Sequence, residues 1–179
     1  MIEIKEQSYQ LGLCVQRVKK TVGILYPDVS TCLTFTGVLD NDFIGAHLSL
    51  GSDIKGPVDH NFIKKRLDSL SGEAKDLQHC YIIGWYGQWG DIPAADKKQK
   101  EYVEVLRAKL KVGYNLWLGS LDVLKQVKYK KAHSSNVMFL PNGKISIEMK
   151  GEKSKILGTQ TESWTDPKAA DNYWFAEID

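Results

Sequence analysis

Residues 30–49 read STCLTFTGVLDNDFIGAHLS, and their pattern decides the fold. Cys32 to Val38 and Phe43 to Leu50 are short runs rich in branched and aromatic residues, the composition of strands. Leu39-Asp40-Asn41-Asp42 between them is a turn, because Asp and Asn tolerate left-handed backbone and bond their own main chain. The stretch is therefore expected to be an antiparallel hairpin. Alternation puts Cys32, Thr34 and Thr36 on one face with His47 and Ser49, and Leu33, Phe35, Ala46, Leu48 and Leu50 on the other. A two-residue turn at Asp40-Asn41 sets Cys32 opposite Ser49 with His47 on the diagonal; a turn centred one residue earlier sets Cys32 directly opposite His47. Both registers bring the two side chains to roughly 4.5–8 Å, the spacing of same-face cross-strand neighbours, and only a one-residue bulge breaks this parity. Leucine and phenylalanine belong in a core, so the face with Cys32 and His47 is expected to open toward a cleft, the alternative being a mixed sheet covered on both faces. Two readings stay open on these residues: a thiol nucleophile beside its base, or a small buried hydrophobe and an ordinary surface histidine.

Working outward, LGLCVQRV (11–18) and LQHCYIIGWYG (77–87) read as strands, the second central and covered on both faces because its middle shows little polar alternation. Asp59 can cap a helix over 59–71 in which Phe62, Ile63, Leu67 and Leu70 recur at helical spacing, and a second helix is expected over 94–112 with Val103, Leu106 and Leu110 on one side. The KKQK run at 97–100 is a solvated face of that helix. NVMFLPNGKISIEMK (136–150) is a hairpin around Pro141-Asn142-Gly143. From Gly151 the chain turns polar and ends near Tyr173, Trp174 and Phe175. These elements predict an α+β fold in one domain spanning 1–179, with a mixed or antiparallel, β-sandwich-like core and two flanking helices.

A chain of 179 residues, 42% hydrophobic and 26% charged, can bury a core without disulfides or metals. With 24 basic against 22 acidic residues the net charge is +2, too even to imply a nucleic acid or an anionic membrane as partner. No stretch approaches the roughly 18 apolar residues of a membrane span, and MIEIKEQSY lacks the regions of a signal peptide. A cytoplasmic protein where it is synthesised is expected, which is compatible with export as an effector without a cleaved signal. Cys14, Cys32 and Cys80 are odd in number and widely spaced, which predicts reduced thiols, with Cys14 and Cys80 in the core. With His47, His60, His79 and His133 they form no metal-ligand spacing, so no metal and no cofactor is expected. Gly84 to Gly90 lacks the pattern of a phosphate loop; its Trp85 and Trp89 are either a cleft wall or plain core.

The segments S-T-C-L (30–33), F-I-G-A-H (43–47) and V-M-F-L-P-N-G-K-I-S-I-E (137–148), with their intervening order of helix, strand ending in Gly, helix closing at Lys111-Val112-Gly113-Tyr114, resemble the chemoreceptor glutamine deamidase (CheD) family. More distantly they resemble the catalytic domain of the bacterial cytotoxic necrotizing factor toxins. The likeness covers about 22–149 and leaves 150–179 as an extension. Ser-Thr-Cys stands where the family usually has Gly-Ser-Cys, and Tyr26 stands where it has a catalytic threonine. The resemblance implies a CheD-like fold and a hydrolase that deamidates a glutamine side chain of a protein substrate, with Cys32 as nucleophile and His47 as base. By likeness to the toxin branch, a backbone carbonyl near Leu25 or Tyr26 would orient His47. Thr31 and Ser30 either line the oxyanion site or, the commoner role for such residues, bond the backbone at the strand entry through their hydroxyls. A cysteine protease or transglutaminase using the same pair, and a silent binding module on the same fold, are the alternatives.

Overall fold

A computed structural model of the chain describes residues 1–8, 15–49, 77–86, 115–170 and 174–178. The hairpin that opened the reading is its centre. β5 (Leu33–Val38) and β6 (Asp42–Ser49) pair antiparallel with Thr34 opposite His47 and Leu33 opposite Leu48, the register of a two-residue turn at Asp40-Asn41. The Leu39 N–H donates to the Asp42 carbonyl at 2.9 Å and closes that turn.

Before the hairpin come β1 (Ile2–Glu3), β2 (Gln7–Ser8), β3 (Gln16–Lys19) and β4 (Ile24–Val29). After it come β7 (His79–Gly84), β8 (Asn115–Ser120), α1 (Leu121–Val127), β9 (Ser134–Phe139), β10 (Lys144–Lys150), β11 (Ile156–Ser163) and β12 (Phe175–Ile178). They make two mixed sheets. One runs β1-β4-β9-β10-β11, and the other runs β12-β8-β7-β5-β6-β2 with β3 also on β6. β7 is central, antiparallel to β5 and parallel to β8, and every residue from Cys80 to Gly84 is buried. β9 and β10 form the hairpin around Pro141-Asn142-Gly143, where Gly143 takes φ +86°, a backbone glycine adopts without cost.

The sheets pack on a shared core. Ile24, Tyr26 and Val29 of β4 and Val137, Phe139, Ile145 and Ile147 of β9 and β10 meet Phe43, Tyr81, Ile83, Trp117 and Phe175 of the other sheet. The fold is α+β. The two helices expected over 59–71 and 94–112 lie outside the described residues, as does Cys14. Among the described residues the one α-helix is α1, where no helix was expected. Its start is local chemistry: the Ser120 hydroxyl accepts the Val123 N–H as an N-cap, and Leu121, Val123 and Leu124 bury. Residues beyond 150 supply strands to both sheets, β11 along β10 and β12 along β8, and Trp174 and Phe175 are core. No described helix is long and apolar enough to cross a membrane.

One expectation is overturned. The Cys32 face does not open to a cleft: Cys32, Thr34 and Thr36 have no exposed surface and His47 has 1%. It faces the other sheet, and its polar groups find partners in both sheets. Thr34 Oγ1 donates to the Ile83 carbonyl at 2.9 Å, and the Tyr26 hydroxyl donates to the Phe35 carbonyl at 2.8 Å while accepting from Thr36. A hydroxyl that reaches a neighbouring carbonyl can be buried at little net cost, so alternation of Thr and Leu did not separate solvent from core.

Candidate functional site

The site lies at the end of the sandwich where β4 closes and β5 begins. Ser30 and Thr31 are exposed and Cys32 is the first buried residue behind them. The N-terminal segment crosses over it. β1 sits at the edge of one sheet, parallel to β4, and β2 at the edge of the other, parallel to β6, so residues 4–6 pass from sheet to sheet. The Ile4 N–H donates to the Leu25 carbonyl at 2.8 Å, and the Ile4 carbonyl in turn meets His47 Nδ1 at 3.3 Å. Two residues on, Glu6 Oε1 accepts from Cys32 Sγ at 3.1 Å. Glu6 itself is exposed.

A carbonyl can only accept, so His47 Nδ1 carries the proton and, in the neutral ring, Nε2 is left as an unprotonated acceptor. That nitrogen is buried and, among the described residues, has no hydrogen-bond partner. Burial lowers the His47 pKa below its usual value, with the Ile4 carbonyl and the Glu6 charge opposing in part, which keeps the imidazole neutral. The Tyr26 ring stands edge-on to it, centroids 5.9 Å apart at 88°. Gly45, two residues before His47 on the same face, makes this packing fit, since a Cβ there would collide with the Tyr26 hydroxyl and with Ile4 Cδ1.

Cys32 is held as a thiol. Burial is the main cause, the Glu6 carboxylate adds to it, and the backbone N–H groups of Ser30 and Thr31 oppose it; together they push the thiol up to about 12. Cys32 and His47 share a face on the diagonal, as the register requires, but no hydrogen bond joins Sγ to His47; the thiol bonds Glu6 instead.

The other expected members fall out as follows. Ser30 and Thr31 reach the sulfur through backbone N–H groups. The Leu25 carbonyl is taken by Ile4, and Tyr26 spends its hydroxyl on β5, so the carbonyl orienting His47 comes from Ile4. Trp85 is 5% exposed and belongs to the core, its Nε1–H on the Val29 carbonyl at 2.9 Å and its backbone N–H on the Cys32 carbonyl at 3.2 Å. Trp89 lies outside the described residues. Ile4 and Glu6 were not singled out in the sequence; the alternation Ile2-Glu3-Ile4-Lys5-Glu6 is a strand signal that would have placed them on a sheet edge. Among the described residues no three of His, Cys, Asp and Glu converge as metal ligands. Comparison of the chain with protein-family models finds no match, and comparison with curated proteins finds none.

Proposed function

We propose that the chain is a cysteine-dependent amidohydrolase that converts a glutamine side chain of a protein to glutamate, a divergent relative of the CheD and cytotoxic necrotizing factor enzymes. The observation that carries this reading is the state of His47: its Nδ1–H is fixed on a main-chain carbonyl, and its Nε2 is a buried base, unpartnered among the described residues, on the same face as Cys32. A core histidine ordinarily satisfies both nitrogens.

The chemistry follows from that geometry. Cys32 turns from Glu6 toward His47, Nε2 takes the Sγ proton, and sulfur attacks the carboxamide carbon. The N–H groups of Ser30 and Thr31, which already face the sulfur, offer donors to the oxyanion. The imidazolium returns its proton to the leaving nitrogen, ammonia departs, and water hydrolyses the thioester to glutamate and free thiol. Glu6, exposed and bonded to Sγ, has to release the thiol for a side chain to react there.

One observation favours the second reading, a silent binding module: the resting thiol is buried, protonated and bonded to a carboxylate. The test is to incubate the protein with a proteome extract and map products by mass spectrometry against a Cys32→Ser variant. Cys32-dependent glutamine-to-glutamate conversion with ammonia release supports the deamidase. Cleaved chains would make it a protease, isopeptide cross-links a transglutaminase, and no Cys32-dependent product a binding module.

A further inference from the structure

The even charge of the whole chain hides a concentration. Between Lys125 and Lys131 and between Lys150 and Lys155 stand seven lysines against one carboxylate, Glu152, in a chain whose total is +2. The fold gathers them. Lys130, Lys131, His133 and Lys155 line a cavity of about 670 Å³ with Glu152 and Leu157. Its rim is a tight reversal between β10 and β11, in which Lys153 and Ser154 take φ +53° and +57° and Lys155 exchanges backbone hydrogen bonds with Gly151 and Glu152. Two successive non-glycine residues in left-handed backbone are strained, and such strain gathers at binding sites.

Lys150 is neutralised by Asp28 at 2.7 Å, and Lys128 is engaged with Gln160. Lys130, Lys131 and Lys155 are exposed, and among the described residues none meets a carboxylate. In the lining, Glu152 is the one carboxylate against three lysines, and that excess of positive charge is a cost unless an anion arrives.

We propose that this cavity docks an acidic polypeptide segment, with carboxylates on Lys130, Lys131 and Lys155 and an apolar side chain on Leu157. Two features favour a polypeptide over nucleic acid. The cations are all lysine, without the guanidinium fork that grips phosphate in two bonds. Among the described residues beside the cavity no aromatic face is offered for base stacking, because Tyr129 and Trp85 are buried, while Ile156 and Leu157 are exposed at 51% and 37%. The strand ends beside the cavity connect to the Cys32 region: Ser134 pairs with Lys150, Ser135 with Val29, and the Val29 carbonyl accepts from Trp85 Nε1–H, while the Trp85 backbone N–H donates to the Cys32 carbonyl. The docked segment thus belongs to the polypeptide presented to Cys32; that step rests on the proposed deamidase reading, whereas the binding does not.

The test is fluorescence anisotropy with a labelled peptide of glutamates interspersed with leucines, beside a single-stranded oligothymidylate of equal charge. The peptide should bind the intact protein and weaken as salt rises. A Lys130→Ala/Lys131→Ala/Lys155→Ala variant should lose about ten-fold in affinity, three exposed ion pairs' worth, with circular dichroism unchanged. Lys144→Ala/Lys168→Ala, which alters a separate cavity, should bind normally. Tighter binding of the oligothymidylate, an unaffected triple variant, or no binding of the peptide would each overturn the proposal. None of these readouts depends on activity at Cys32.

Discussion

Cys32 and Cys80 lie in the same sheet, both with no exposed surface and both with thiols raised by burial, yet their surroundings differ. Cys80 pairs with Gly37 in mid-strand, on the face opposite that of Cys32, and desolvation is the whole of what acts on it. Cys32 stands at a strand entry with a carboxylate, two backbone N–H groups and a histidine on its own face. Burial alone makes a cysteine a small inert hydrophobe. Polar groups arranged around the sulfur are what set Cys32 apart from a thiol held by burial alone.

The sharpest way to break that comparison is to remove each thiol in turn. Cys32→Ala should reduce glutamine conversion by about a thousand-fold or more, while Cys80→Ala should retain conversion and lose about 1 kcal/mol of stability to denaturant. Equal losses of activity would erase the distinction.

Next in size is Gly45→Ala. Its Cβ must displace the Tyr26 hydroxyl and Ile4, the two groups that pack against and orient His47, so equilibrium unfolding should show a loss of about 1–3 kcal/mol. Retained stability would mean that this packing is looser than the structure has it.

Stability against pH sharpens the comparison further. The folded thiols hold their protons above the unfolded value of 9.0, so as pH rises past about 9 the unfolded state loses protons first and stability falls. On the acid side the buried His47 resists protonation, so stability falls as pH drops below the unfolded value of 6.5. Cys80→Ala should flatten the alkaline limb and His47→Gln the acid limb in denaturant midpoints measured across pH.

The smallest effect belongs to Glu6→Gln. Removing the charge over Sγ should lower the Cys32 pKa and speed its alkylation without changing that of Cys80, since Glu6 acts on Cys32 alone of the two. Mass spectrometry of the modified peptides separates them.

Much of this was legible in the sequence where the determinants are local. Asp40-Asn41 and strict alternation set the register that puts Cys32 and His47 on one face, and Pro141-Asn142-Gly143 set the second hairpin. What was not legible came from far along the chain. Nothing beside His47 says that Ile4 supplies its carbonyl, or that Glu6 covers Cys32, because both lie on the crossing between two parallel edge strands whose pairing has no turn to announce it. The burial of the polar face depended likewise on Tyr26 and Ile83 carrying partners for Thr36 and Thr34. The helix α1 escaped notice because two turns with one serine cap give too short a period to read.

The central claim is that His47 Nε2 is the base for Cys32. The rate of Cys32 alkylation across pH, in the intact protein and in His47→Ala, with Cys14 and Cys80 resolved by mass, tests it most directly. A base-assisted thiol should react through a plateau at neutral pH that begins below the ordinary histidine range, and the plateau should vanish in His47→Ala. A single alkaline limb rising toward about 12, the same with and without the histidine, would contradict the pairing and leave Cys32 no different in kind from Cys80.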